Sequence, residues 1–207
     1  MDNHLQNNQQ SNTAFVLGNG QSRLRLNLNE LKHHGTVYGC NALYREFTPD
    51  HLIAVDEKMV REIEQSGYHL KHPVWTNPNK GVLKIPGLNL FKPHKGWSSG
   101  PTALWLAATN KHTTIYIFGF DYQGIEKRVN NVYADTQNYK KSTDTATYFG
   151  NWLSQTETVI KSNKTIEFVR VIEPENYIPP TLTQITTNFK HMNYEEFFKI
   201  FPGTIFK

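Results

Sequence analysis

Short apolar runs alternate with longer helical patterns over most of this 207-residue chain. The runs are rich in β-branched and aromatic residues, and most of them stop at a Gly, Asn or Asp, as buried strands do. The predicted strands are residues 14–17, 36–41, 51–56, 73–77, 113–118 and 165–172. Because helical patterns separate these strands, the sequence predicts an α/β protein with a Rossmann-like, mostly parallel sheet and helices on both faces.

The same pattern predicts the helices and the organisation of the chain. Helices are predicted near residues 22–31, 58–65, 102–110, 144–162 and 194–201. Residues 13–173 form the predicted nucleotide-binding domain, with a polar lid at about 122–142, and residues 174–207 form a C-terminal extension. Residues 1–12, which are rich in Asn, Gln and Ser, are predicted to be a flexible tail.

The first predicted strand ends in a glycine turn, G-N-G-Q-S, at residues 18–22. Gly18 and Gly20 permit a tight bend, and Ser22 is a candidate N-cap for the next helix. Backbone N–H groups in such a turn can approach an anion at the positive end of a helix dipole. The turn lacks the third glycine of G-x-G-x-x-G, so it predicts either a nucleotide site or an ordinary strand-to-helix connection.

Polar residues also follow three other predicted strands. Asn41 comes at the end of the second strand, Asp56 at the end of the third, and Asp121 with Tyr122 after the strand at 113–118. Ligands of parallel α/β sheets bind beyond the carboxyl ends of the strands. Together with the glycine turn, these positions predict a nucleotide-type site at that edge of the sheet.

Charge and cysteine content narrow the classes of partner. The net charge of +4 comes from 22 basic and 18 acidic residues spread along the chain, which mildly favours small anionic ligands and argues against a nucleic-acid groove. The single cysteine, Cys40, excludes an intramolecular disulfide and a Cys-rich zinc site. No apolar stretch has the length of a membrane span, and the first dozen residues lack the apolar core of a signal peptide, so the cytoplasm is the expected location.

Four short motifs occur in an order that resembles a known group of enzymes. They are G-N-G-Q-S at 18–22, Y-G-C-N-A-L-Y at 38–44, S-S-G-P-T-A-L at 98–104 and I-Y-I-F-G-F-D-Y at 115–122. The arrangement resembles the bacterial sialyltransferases of the Campylobacter type. It is equally similar to the related domain of unknown function shared by motility-associated flagellin glycosyltransferases and archaeal hydroxymethyl-dihydropterin pyrophosphokinases. The resemblance covers residues 13–139.

The sialyltransferase resemblance implies a metal-independent glycosyltransferase whose donor is a CMP-activated nonulosonic acid. The nucleotide-sugar is then a substrate, and no separate cofactor is expected. The acceptor is expected to be a glycan, a protein or a modified nucleobase, and the oligomeric state, including a homo-oligomer, stays open. The residues implied in donor binding are Gly18, Asn19, Gly20, Ser22, Asn41, Ser99, Gly100 and Tyr122.

The resemblance also implies which residues carry the chemistry. Tyr133 and Tyr139 match two lid tyrosines that hydrogen-bond the CMP phosphate, and neutral O–H donors can stabilise a departing phosphate without a divalent ion. No D-x-D motif occurs, which fits an absence of metal ligands. The histidine that serves that family as general base is missing, since no His lies between His112 and His191. The candidate replacements are Asp121 first, then Asp135, Asp144 and His191.

Two alternatives remain at this point. A pterin-type pyrophosphokinase would need ATP and Mg²⁺, and Asp56, Glu57 and Asp121 could supply carboxylates. A non-catalytic binding or structural protein could retain the same fold, which the missing histidine and the polar N-terminal segment favour. Sensitivity to a chelator separates the first alternative from the transferase.

Overall fold

The computed structural model describes residues 12–206, and one eight-stranded sheet forms the centre of this part of the chain. Every pair of neighbouring strands in it is parallel. The predicted Rossmann-like α/β class is therefore confirmed. The strands are β1 (Thr13–Leu17), β2 (Thr36–Cys40), β3 (His51–Ile53), β4 (Val74–Thr76), β5 (Asn89–Leu90), β6 (Thr114–Phe118), β7 (Glu167–Ile172) and β8 (Phe189–Asn193).

The strand order is β5-β4-β3-β2-β1-β6-β7-β8. The chain builds outward from β1 to β5, then crosses to the other side of β1 and builds outward again from β6 to β8. The order thus reverses between β1 and β6. In open α/β sheets the connections on either side of such a switch point run to opposite faces and leave a crevice at the carboxyl ends of the two strands.

Helices cover both faces of the sheet. They are α1 (Leu28–Leu31), α2 (Glu57–Gln65), α3 (Ser99–Thr109), α4 (Gly150–Ser162), α5 (Pro180–Thr183) and α6 (Tyr194–Ile200). Phe15 and Leu17 of β1 pack in one core with α1, α2 and α6, whereas Ala14 and Val16 pack in a second core with α3, α4 and α5. This alternation follows from the two-residue period of a strand. Among the helices of residues 12–206, none is long and apolar enough to cross a bilayer.

The prediction of one helix near residues 22–31 is wrong. A 3-10 helix at Gln21–Arg25 is followed, after the two extended residues Leu26 and Asn27, by the single turn of α1. Leu26 forms an antiparallel bridge with Ile205, and the Asn27 N–H donates to the Thr204 carbonyl oxygen (2.7 Å). This pairing with the C-terminal segment interrupts the helix, and Leu24 is left 60% exposed instead of packing with the other leucines.

The segment predicted as a C-terminal extension is part of the central sheet. β8 pairs with β7, and the α6 residues Tyr194 and Phe197 are buried against Phe15 and Phe118. The helix predicted at 194–201 is confirmed as α6, and Asn193 caps it, because the Asn193 side chain accepts the Glu196 N–H (2.8 Å). Of the predicted flexible tail, residues 1–11 lie outside the described part of the chain.

Candidate functional site

The loops that follow β1, β2, β3, β4 and β6 line a cavity of about 500 Å³. It lies at the carboxyl ends of these strands, beside the switch point between β1 and β6, where ligands of such sheets bind. Its polar lining residues are Asn19, Asn41, Asp56, Asn77, Ser98, Ser99, Asp121, Asn130 and Asn131. Its aromatic lining residues are Trp97, Phe120, Tyr122, Phe149 and Trp152.

The glycines of the turn after β1 pack it against the turn after β6. The Gly18 N–H donates to the Phe118 carbonyl oxygen (2.8 Å), and the Gly20 N–H donates to that of Gly119 (2.9 Å). A Cβ on Gly18 would lie 2.6 Å from the Gly119 oxygen, and a Cβ on Gly20 would overlap the Asp121 carboxylate. Both glycines are therefore required by the contact between the two turns.

Asp121 supplies this turn with the negative charge that was expected from a ligand. Its carboxylate accepts hydrogen bonds from the Ser22 N–H (3.2 Å), the Ser22 hydroxyl and Asn130 Nδ2 (3.0 Å). The Gln21 N–H donates to Asn130 Oδ1 (2.9 Å). Protein acceptors thus bond the Gly18, Gly20, Gln21 and Ser22 amides of this turn, and Ser22 lies outside the cavity lining.

The buried side chain of Arg170 holds the turn after β6 through hydrogen bonds to its carbonyl oxygens. Arg170 of β7 donates to the carbonyl oxygens of Phe120 (Nε, 2.9 Å) and Asp121 (Nη2, 3.4 Å), and burial lowers its pKa. Its guanidinium also lies 5.2 Å from the centre of the Tyr122 ring. Tyr122 has a positive φ of 54°, and its hydroxyl donates to Thr156 (2.8 Å). The ring of Tyr122 therefore lines the cavity, whereas its hydroxyl is bonded to Thr156.

The opposite side of the cavity is formed by the start of α3. The Ser99 hydroxyl donates to Asn41 Oδ1 (2.8 Å) and accepts the Val55 N–H (3.2 Å), which connects the ends of β2 and β3 to this helix. Asn41 adopts a positive φ of 53°, a conformation that Asn tolerates better than most residues. Ser98 is the N-cap residue, yet its hydroxyl makes no cap hydrogen bond. The first amides of an α-helix lack intrahelical acceptors and lie at the positive end of its dipole.

Two cavity-lining asparagines have a buried oxygen that no group in residues 12–206 satisfies. They are Asn19 and Asn77, each at Oδ1. A buried acceptor without a donor costs free energy, so such atoms mark places where a ligand N–H or O–H would be favourable. The sequence analysis missed Asn77, although it is the last residue of a predicted strand, as Asn41 is.

Tyr133 lies outside the cavity and holds the predicted lid, the segment at about 122–142, to the residues that follow β1 and β2. Its hydroxyl donates to Glu46 and accepts a hydrogen bond from Arg23 Nη2 (2.9 Å). Arg23 is 3% exposed and also pairs with Glu46 (2.9 Å). Burial raises the pKa of Tyr133. In the structure this hydroxyl contacts protein groups, and its contact with a donor phosphate stays a prediction.

Tyr139, like Tyr133, lies outside the cavity lining and bonds to other protein groups. Its hydroxyl accepts hydrogen bonds from Asn19 Nδ2 (3.2 Å) and the Ala42 N–H (3.3 Å), and burial raises its pKa. It lies behind the cavity wall and does not line the cavity. Its contact with Asn19 links the lid to a residue that does.

The other base candidates also lie away from the cavity. Asp135 accepts the Ser142 N–H (3.0 Å), and Asp144 accepts the Lys141 N–H (3.0 Å). His191 lies on β8 and packs against Phe189, and burial with the charge of Arg170 lowers its pKa to about 4. None of the three acids and bases lines the cavity.

The structure thus brings most of the predicted donor-binding residues together. Those that line the cavity are Gly18, Asn19, Gly20, Asn41, Ser99, Gly100 and Tyr122, and the candidate base Asp121 lines it as well. Sequence analysis missed Asn77, Asn130, Asn131, Phe149 and Trp152. Within residues 12–206, no group of three or more His, Cys, Asp or Glu side chains is arranged to hold a metal ion.

Comparison with known proteins shows the fold. No protein-family model and no curated protein matches the chain in sequence. The solved structure of the monofunctional alpha-2,3-sialyltransferase Cst-I from Campylobacter jejuni is similar, with a TM-score of 0.57 and 13% identity over 91% of this chain and 84% of that one. An alpha-2,3-sialyltransferase from Campylobacter jejuni in apo form has a TM-score of 0.52 and 13% identity, over 85% of this chain and 80% of that one.

A third structure, the sialyltransferase CstII from Campylobacter jejuni in complex with cytidine-5'-monophosphate, has a TM-score of 0.50 and 18% identity. The match covers 79% of this chain and 81% of that one. The chain therefore has the fold of these sialyltransferases.

Proposed function

We propose that this chain is a glycosyltransferase that binds a CMP-activated nonulosonic acid in the cavity and transfers its sugar without a divalent metal ion. The observation that carries the proposal is the place and lining of the cavity. It lies at the β1–β6 switch point of a fold shared with sialyltransferases, and amide and hydroxyl groups dominate its polar lining.

In this proposal the donor phosphate lies at the start of α3. No Lys, Arg or His of residues 12–206 lines the cavity, whereas the start of this 11-residue helix lines it and carries the positive end of the helix dipole. The N–H groups of Ser99 and Gly100 and the hydroxyl of Ser98 are the donors in that first turn. The nucleoside and sugar would then contact Asn19, Asn41 and Asn77 and stack on the cavity's aromatic rings.

These neutral donors fit the chemistry of the transfer. When the bond between the anomeric carbon and the phosphate oxygen breaks, negative charge develops on the phosphate. Fixed hydrogen-bond donors in a partly enclosed site stabilise such a charge. We propose that the start of α3 performs this role here, where the resemblance assigned it to Tyr133 and Tyr139. A glycan, a protein and a modified nucleobase remain the candidate acceptors.

Calorimetric titration with CMP, UMP, CDP and ATP, each with and without EDTA, tests the proposal. We expect CMP to bind and EDTA to leave its affinity unchanged. Ser98→Ala should weaken CMP binding about fivefold, the effect of losing one hydrogen bond. Ser154→Ala, which removes an exposed hydroxyl of α4 outside the cavity lining, is the matched control.

The other outcomes identify the alternatives. Binding of ATP that requires Mg²⁺ would favour the pyrophosphokinase, for which Asp56 and Asp121 are the carboxylates that line the cavity. Failure to bind any of these nucleotides would contradict the transferase and favour the non-catalytic protein.

A further inference from the structure

Four cavity-lining residues in the described part of the chain carry an ionisable side chain. They are Cys40, Asp56, Asp121 and Tyr122. Transfer of a sugar to a hydroxyl acceptor requires a group that takes the hydroxyl proton. Such a group must reach the substrate, must be free of competing hydrogen bonds and must be in its basic form.

Three of these four groups fail one of these requirements. Burial raises the pKa of the Cys40 thiol to about 12, so the thiol is protonated. The Tyr122 hydroxyl is buried and donates to Thr156 (2.8 Å), and burial raises its pKa. The Asp121 carboxylate is 8% exposed and is occupied by three donors from Ser22 and Asn130.

Asp56 differs from the other three residues because its side chain is exposed and its carboxylate is free of hydrogen bonds within residues 12–206. It is exposed, and its carboxylate has no hydrogen-bond or ion-pair partner among residues 12–206. It occupies the N-cap position of α2, where an Asp side chain usually accepts an amide of the first turn, yet it makes no such bond and lines the cavity instead.

The backbone around Asp56 is held in place. The Asp56 carbonyl oxygen accepts the Val60 N–H (3.0 Å) of α2, and the preceding Val55 N–H donates to the Ser99 hydroxyl (3.2 Å) at the start of α3. Asp56 is thereby fixed to the helix end at which the proposed function places the phosphate. A base in this position would face the sugar that is attached to that phosphate.

We infer that Asp56 is the general base of the transfer, an inference that rests on the proposed function. The acceptor oxygen forms a bond to the anomeric carbon, while the bond from that carbon to the phosphate oxygen breaks and its electron pair leaves with CMP. The acceptor hydroxyl proton passes to an Asp56 carboxylate oxygen and then to water, which regenerates the carboxylate.

The test measures CMP affinity and CMP release separately in four proteins: the wild type, Asp56→Asn, Asp56→Ala and Glu57→Gln. Glu57 is the adjacent carboxylate, pairs with Arg61 (3.6 Å) and does not line the cavity, so its variant is the matched control. Affinity is measured by calorimetry. Release is measured from CMP-N-acetylneuraminate, with water and with lactose as acceptors.

Asp56→Asn should bind CMP within threefold of the wild type and release it at least about 100-fold more slowly. Sodium formate should restore part of the rate in Asp56→Ala, because a small carboxylate can take the place of the missing side chain, and Glu57→Gln should match the wild type. A wild type that does not bind CMP contradicts the proposed function itself.

With CMP binding and wild-type release intact, two results overturn the base alone. They are an Asp56→Asn release rate within threefold of the wild-type rate and an Asp56→Ala rate that formate does not raise. A wild type that binds CMP but releases none from CMP-N-acetylneuraminate contradicts the proposed transfer itself, and the base with it.

Discussion

The cavity has two walls that differ in how their polar groups are satisfied. We define the closed wall as the turns at 18–22 and 119–122 together with Tyr133 and Tyr139 of the predicted lid, which bond to Arg23 and Asn19 from outside the cavity. The open wall is the start of α3 at 98–101 with Asp56 and Asn77. On the closed wall, the Gly18, Gly20, Gln21 and Ser22 amides, the Tyr133 and Tyr139 hydroxyls and the Asp121 carboxylate bond to other protein groups, whereas Asn19 Oδ1 has no partner among residues 12–206. On the open wall, the Asp56 carboxylate, the Ser98 hydroxyl and Asn77 Oδ1 have no partner among residues 12–206.

The difference shows that one sequence signal has two physical causes. A glycine turn after a strand is needed where a ligand approaches the backbone closely, and it is needed equally where two turns pack against each other. The turn at 18–22 is of the second kind, because Gly18 and Gly20 contact Gly119 and Asp121. We expect substitutions on the closed wall to reduce stability and those on the open wall to reduce binding or turnover.

The largest expected effect follows from substituting matched glycines on the two walls. In Gly20→Ala the new methyl group would overlap the Asp121 carboxylate, so we expect the free energy of unfolding to fall by about 3 kcal/mol. In Gly100→Ala the methyl group would lie 3.2 Å from Phe120 Cζ, a ring that can shift. The helix preference of Ala, about 1 kcal/mol, offsets this contact.

Urea unfolding and CMP titration of both glycine variants check this expectation. Gly100→Ala should remain within about 1 kcal/mol of the wild type and lose CMP affinity, because the methyl group narrows the cavity. Equal free energies of unfolding for Gly20→Ala and Gly100→Ala would contradict the expectation that substitutions on the two walls have different effects.

A smaller effect is expected from Tyr133→Phe on the closed wall. The change removes the hydroxyl that accepts from the buried Arg23 and donates to Glu46, which should lower the free energy of unfolding by about 1–2 kcal/mol. CMP affinity should stay within twofold of the wild type. Tyr148→Phe is the control, since Tyr148 is 78% exposed. A tenfold loss of CMP affinity without loss of stability would instead support a phosphate contact by Tyr133.

Much of the fold could be predicted from the sequence, because apolar runs of strand length recur between helical patterns. β5 was missed since it has two residues and lies in a stretch broken by Gly and Pro. β8 was missed because its residues, F-K-H-M-N, lack the β-branched content of the other strands. The first helix was predicted wrongly because the bridge between Leu26 and Ile205 joins residues far apart in sequence.

The site could be predicted in part for the same reason. Asn41 and Asp121 were found because strand ends are visible in the sequence, and Asn77 could have been found by the same rule. The partners of Tyr133 could not be found, since Arg23 and Glu46 meet it only through the tertiary fold. Whether a polar group at a strand end has a partner in the protein likewise depends on residues that are brought together only by the tertiary fold.

The smallest expected effect comes from two carboxylates at α2. Glu62 is bonded to other protein groups, as on the closed wall, whereas Asp56 at the N-cap is free, as on the open wall. Glu62 accepts hydrogen bonds from Arg45 (2.7 Å), Tyr44 (2.6 Å) and Asn138 (2.7 Å), and so it joins the lid to the domain. Burial acts to raise the pKa of Glu62, but these hydrogen bonds outweigh burial and leave the pKa below its ordinary value of 4.5. Asp56, six residues earlier at the N-cap of α2, makes no cap hydrogen bond and has no such partners among residues 12–206.

The lowered pKa of Glu62 sets the sign of the pH dependence. Its contribution to stability is fully present above its unfolded-state pKa and is lost as the pH falls through the lower pKa of the folded state. Glu62→Gln should therefore cost about 1 kcal/mol in urea unfolding at neutral pH, and this deficit should shrink on the acid side of the unfolded-state pKa. Asp56→Asn should lie within about 0.5 kcal/mol of the wild type at both pH values. A stability deficit in Asp56→Asn that matched that of Glu62→Gln would show that Asp56 belongs to the closed wall, and its free carboxylate would then no longer be available as a base.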